Sequence, residues 1–136
     1  MGTLHGRRLS APVRCLPYLR HGVRARLTEW GAAALADDAC LVLTELVANA
    51  ERHGSPPVRV ALCRRCGHAG RPGVRIEVSD GGRGLDPDAV RARWRHPSFA
   101  LGPSGRGLYL VDALTHGAWG DRAAPSGHTV WADLGC

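Results

Sequence analysis

Apolar residues recur along this chain with two periods, and the switches between them divide it into elements. Leu19, Val23 and Leu27 fall at i, i+4 and i+8, which predicts a first helix over roughly Leu16 to Trp30. A second helix follows, with Asp37 or Asp38 expected as its cap and Leu43, Leu46, Val47 and Ala50 as its apolar stripe. Gly54 and Pro56-Pro57 end it. Val58, Val60 and Leu62, then Val74, Ile76 and Val78, alternate with period two and predict a hairpin joined by an irregular loop around Cys66 to Pro72. Residues 8 to 13 are expected as an edge strand and Asp86-Pro87 as the start of a short helix to about Arg93. Gly107 to Thr115 is expected as a helix, with strands near Ala118-Trp119 and from Thr129 to Leu134 closing the sheet. With no internal repeat or linker, residues 1–136 are expected to form one α/β domain, a two-layer sandwich of helices over a mixed, mostly antiparallel sheet.

The second helix carries polar residues that its own folding does not require. Glu45, Asn49 and His53 line up at i, i+4 and i+8 beside the apolar stripe. Asn is a poor residue inside a helix because its amide competes for backbone hydrogen bonds. A side-chain oxygen there suits a hard cation such as Mg²⁺, the plain alternative being a solvated polar edge. Further on, the Val74–Val78 strand runs into Asp80-Gly81-Gly82-Arg83-Gly84-Leu85. Glycines spaced D-x-G-x-G let the backbone approach a flat ligand without Cβ clashes, although turn chemistry alone explains one Asp-Gly pair. A carboxylate at the strand end can accept from the exocyclic amino group of adenine, which guanine lacks at that position. Gly105 and Gly107, in Ser104-Gly105-Arg106-Gly107-Leu108, open another apolar helix whose first N–H groups can face an anion.

The ordered set ELVANA, VSDGGRGL and SGRGLYLV resembles the N, G1 and G2 boxes of the GHKL ATP-binding superfamily, and the tail from Gly127 to Leu134 resembles its last box and final strand. The short form and the GRGL and G-x-T-V-W-A patterns are similar to anti-sigma-factor serine/threonine kinases and their actinobacterial ATP-binding relatives. The resemblance implies a Bergerat-type fold, with Asn49 offering its amide oxygen to Mg²⁺ and Asp80 accepting from adenine. It implies that Gly82, Gly84 and Leu85 shape the adenine floor, and that Gly105, Arg106, Gly107 and Leu108 form the phosphate-facing end of a lid spanning about His96 to Ser104. It also implies that Thr129 reaches the base directly or through water. Tyr109 stands where the family pattern can carry a further glycine. Glu45, one turn before Asn49, is expected as the catalytic carboxylate that positions or deprotonates a hydroxyl attacking the γ-phosphoryl group. His53 is expected as a helix-end residue, and Arg83 as solvated.

Three functions are compatible with this set. One is a serine/threonine kinase that also acts as an anti-sigma factor, binding a sigma factor and phosphorylating an antagonist protein, with a homodimer as a possible form. The second is a non-enzymatic module whose nucleotide state sets partner affinity. The third is the ATP-binding half of a split histidine kinase, against which the chain offers no dimerising helical pair with a phosphoacceptor His.

Composition removes other possibilities. All 18 basic residues are Arg, so neither a P-loop lysine nor a protein-kinase-type catalytic lysine can be assigned. The net charge of +6 raises nucleic acid, but the arginines are scattered without an aromatic platform, and no direct nucleic-acid binding is expected. No apolar run reaches the ~20 residues of a membrane span and the N-terminus lacks a secretory core, so a cytoplasmic location is expected. Cys63-Arg64-Arg65-Cys66 has the spacing of a zinc pair, yet Cys15, Cys40 and Cys136 supply no second pair, and free thiols are expected.

Overall fold

The computed structural model describes residues 3–5, 8–12, 15–66, 68–96 and 106–135. Six strands form one sheet in the order β1-β2-β3-β4-β6-β5: β1 (Thr3–His5), β2 (Arg8–Pro12), β3 (Arg59–Cys66), β4 (Pro72–Asp80), β5 (Trp119–Ala124) and β6 (Gly127–Leu134). All five strand pairings are antiparallel. Among the described residues four α-helices accompany them: α1 (Leu16–Glu29), α2 (Ala36–His53), α3 (Pro87–Trp94) and α4 (Arg106–Thr115).

Strand alternation decides which face the helices cover. Val60 and Leu62 of β3, Val74, Ile76 and Val78 of β4, and Val130, Ala132 and Leu134 of β6 are buried in one cluster with Val23 and Leu27 of α1, Leu43, Leu46 and Val47 of α2, and Val111 of α4. Burying each such Val, Leu or Ile side chain contributes about 1.5–3 kcal/mol, so this face holds the helices to the sheet. The opposite face carries polar pairs. Arg75 forks onto Asp133 at 2.7 and 2.9 Å while its guanidinium lies 4.4 Å over the Trp131 ring. On the same face Arg122 meets the buried Glu77 at 2.6 Å, and Ser79 Oγ lies 2.7 Å from Thr129 Oγ1.

Three expectations are corrected. The strand at residues 8–12 is not an edge, because β1 pairs outside it. Neither Asp37 nor Asp38 is the cap of α2: a 3₁₀ turn over Ala33–Leu35 leads directly into the helix, Leu35 takes the cap position, and both acids sit in the first turn. There they favour the helix through its positive N-terminal end rather than through a cap bond. Strand β5 runs on to Ala124, well past Trp119. The short third helix, by contrast, starts where expected, and Asp86 caps it by accepting from the Asp88 N–H at 3.0 Å.

Helix α3 is tied back to the end of α4 through one carboxylate. Asp112 Oδ1 accepts from Arg91 Nε at 3.1 Å and from Trp119 Nε1 at 2.8 Å, and the Arg91 guanidinium lies 4.8 Å over the Trp119 ring. Trp94 then stacks edge-on against Tyr109, with ring centroids 5.3 Å apart.

Candidate functional site

The apolar row Val74, Ile76, Val78 places the next core-facing position of β4 at Asp80, so a carboxylate ends a greasy column. It is 7% exposed, and burial at this level demands hydrogen-bond partners. Asp80 Oδ1 accepts from the Gly82 N–H at 2.6 Å and from the Ser55 N–H at 3.3 Å. Its Oδ2 lies 3.0 Å from His128 Nε2. Three glycines make this geometry possible by close approach. A Cβ on Gly54, at the end of α2, would collide with the carboxylate; one on Gly82 would sit 2.8 Å from Oδ1; one on Gly127 would strike the Asp80 carbonyl.

A second carboxylate completes the cluster. Asp121 of β5 lies 2.5 Å through Oδ1 from His128 Nδ1, and its Oδ2 accepts from the Leu85 N–H at 3.1 Å. Gly84 lies against it, since an added Cβ would be 2.7 Å from Asp121 Oδ2. The glycine turn after β4 therefore folds around Asp80, His128 and Asp121, and Leu85 packs on the core.

Helix α2 links this cluster to a second one. Its last turn delivers Gly54 to Asp80, and at 1.5 Å per residue Glu45 stands roughly 13 Å back along the axis, with half-buried Asn49 between them. At that far end the Glu45 carboxylate rests on the start of α4: a Cβ on Gly107 would come 2.7 Å from Oε2. Arg106 is exposed at the first position of α4, and Leu108 packs on the core.

Among the expected site residues, Asp80, Gly82, Gly84 and Leu85 are brought together at one end of α2, while Glu45, Gly107 and Leu108 gather where α2 meets α4. Gly105, Ser104 and the expected lid beyond His96 lie outside the described residues. Thr129 is not brought to Asp80. The register pairs Asp80 with His128 and Ser79 with Thr129, so alternation turns Thr129 to the opposite face of the sheet. His53 is exposed at the end of α2.

His128, Asp121 and Gly54 were not among the expected site residues. Counting β6 alternation back from Val130 reaches His128 directly, and that signal was present in the sequence. Asp121 required knowing that β5 continues beyond Trp119. Among the described residues no group of three or more His, Cys, Asp or Glu is arranged to hold a metal ion, and no helix is long and apolar enough to cross a membrane.

No curated protein matches the chain. The family model of the histidine kinase-like ATPase domain matches residues 9–133, which runs from β2 to β6, short only of Arg8 and Leu134 at their outer ends, and takes in both clusters. The antiparallel sheet under helices agrees with that match, and the chain belongs to the histidine kinase-like ATPase domain family.

Proposed function

We propose that this chain binds ATP with Mg²⁺ and transfers the γ-phosphoryl group to a serine or threonine of a partner protein, acting also as an anti-sigma factor that this antagonist relieves. The observation that carries the reading is the position of Glu45, whose carboxylate lies against the α4 backbone at Gly107, one helical turn from Asn49. The family supports ATP as ligand. The partner assignment rests on the G-R-G-L and G-x-T-V-W-A patterns.

The residues fit the ligand and its ion. Asp80 and the Gly82–Gly84 turn receive the base, and the start of α4 with Arg106 faces the phosphates. Asn49 is a neutral oxygen donor on the helix between them, and a hard cation that takes most of its ligands from phosphate and water needs few from the protein. When bound, Mg²⁺ supplies charge neutralisation at the phosphates. Glu45 then positions the incoming hydroxyl and accepts its proton, and the close Gly107 contact holds its carboxylate in place.

The test is single-turnover transfer from labelled ATP to a cognate antagonist by wild type and Glu45→Gln, with an ATP-binding curve for each. Gln keeps size and helix propensity, so binding is expected within a few-fold. Transfer is expected to slow by roughly 10²–10⁴-fold, the usual contribution of a general base. Equal rates remove Glu45 from the mechanism. No transfer by wild type to any cognate partner favours the non-enzymatic module.

A further inference from the structure

We infer that His128 sets the base selectivity of this site by fixing the Asp80 carboxylate, and that it, rather than Thr129, is the β6 side chain presented to the base pocket. The inference rests on the ATP-binding reading above. A carboxylate offers about four lone-pair positions. Asp80 Oδ1 receives the Gly82 and Ser55 N–H groups, and Oδ2 faces His128 Nε2, which leaves one position, on Oδ2, for a ligand. A 6-amino purine donates to that position; a 6-oxo purine turns an acceptor toward it.

The imidazole is itself held on its other side. Its Nδ1 meets Asp121, and Asp121 also receives the Leu85 N–H and supports Gly84, so the ring cannot swing away without breaking the floor of the turn. A ring carrying both protons satisfies both carboxylates; with one proton, one contact lacks a hydrogen unless a carboxyl supplies it. His128 and both acids are nearly or partly withdrawn from water, with side-chain exposures of 5% for His128, 3% for Asp80 and 9% for Asp121. Without the ring, Asp80 Oδ2 gains a second open position while Oδ1 stays on the Gly82 and Ser55 N–H groups, and water in the vacated space can then bridge to either kind of purine edge. Thr129 takes no part, being engaged with Ser79 across the sheet.

The experiment measures calorimetric affinities for ATP and for inosine triphosphate, which carries a 6-oxo group, in wild type, His128→Ala, His128→Gln and Thr129→Val. Wild type is expected to prefer ATP by roughly ten- to hundredfold. In His128→Ala that ratio is expected to fall to within about threefold, and in His128→Gln, whose amide N–H replaces Nε2 as donor, to recover most of its value. Thr129→Val is expected to keep the wild-type ratio. A merely structural histidine gives a different result, both affinities falling together with the ratio preserved; that outcome overturns the inference and leaves ATP binding standing. Loss of selectivity in Thr129→Val overturns it as well. A wild type that binds neither nucleotide, or both equally, removes the base-reading role of Asp80 and the inference with it. If His128→Ala does not fold, Asp121→Ala removes the carboxylate that holds the ring at Nδ1, and an unchanged ratio there overturns the inference.

Discussion

At the residue scale, Asp80, His128 and Asp121 are held by contacts of 2.5 to 3.3 Å, and the roles proposed for them are read from those partners. Asn49 is the exception: its proposed role depends on a free oxygen at mid-helix. Asn49→Ala is expected to raise stability slightly, since Ala is the better helix former, while lowering ATP affinity and abolishing most of its Mg²⁺ dependence. Calorimetric titrations with and without Mg²⁺ check this, and an unchanged Mg²⁺ effect would show a plain surface asparagine. The residues legible in the sequence were those with unusual local chemistry, an Asn inside a helix or an Asp before two glycines. Thr129 was placed by resemblance of its motif, whereas the register of β6 sets it beside Ser79 and sets His128 opposite Asp80. Motif spacing identifies a strand more readily than it identifies which of two adjacent side chains faces inward.

At the element scale, the sequence specified α1, α2, α4, the β3–β4 hairpin and the start of α3, because each has periodicity or a clear boundary signal. It was silent on β1, a strand of three residues with no period to read, and on the length of β5, where Gly120 to Ala124 contains no apolar alternation. Packing supplied what pattern could not: Gly120 lies beneath the Trp131 ring, so a residue that weakens a strand alone is required by its neighbour. The tie between α3 and α4 is likewise invisible in sequence. Asp112→Ala is expected to cost about 1–3 kcal/mol, because it leaves the Trp119 indole N–H and the Arg91 guanidinium without their shared acceptor. Asp112→Asn, which keeps one acceptor oxygen, should lose less. Urea midpoints for the three proteins decide this, and equal midpoints would show that the tie contributes nothing.

At the scale of the whole molecule, one core holds the helices to the sheet, and its opening can be followed with a native reporter. The Cys40 thiol is 4% exposed in that core, burial pushes its pKa above the ordinary thiol value, and its Sγ lies 3.7 Å from the Arg20 carbonyl. Cys15 is exposed at the start of α1. Alkylation at neutral pH is therefore expected to modify Cys15 promptly and Cys40 only at the rate of global unfolding, as resolved by mass spectrometry of timed digests in increasing urea. Fast modification of Cys40 in native buffer would mean that α1 and α2 separate without the rest. The same core has a consequence for the register of β6. Losing one residue from the β5–β6 turn would exchange His128 for Thr129 opposite Asp80 in a single step, with no substitution at either position. That slip would also carry Val130, Ala132 and Leu134 out of the helix-covered interior. The residue opposite Asp80 can therefore be changed by substitution but not by shortening the turn, and the greasy row behind His128 acts as its frame-keeper.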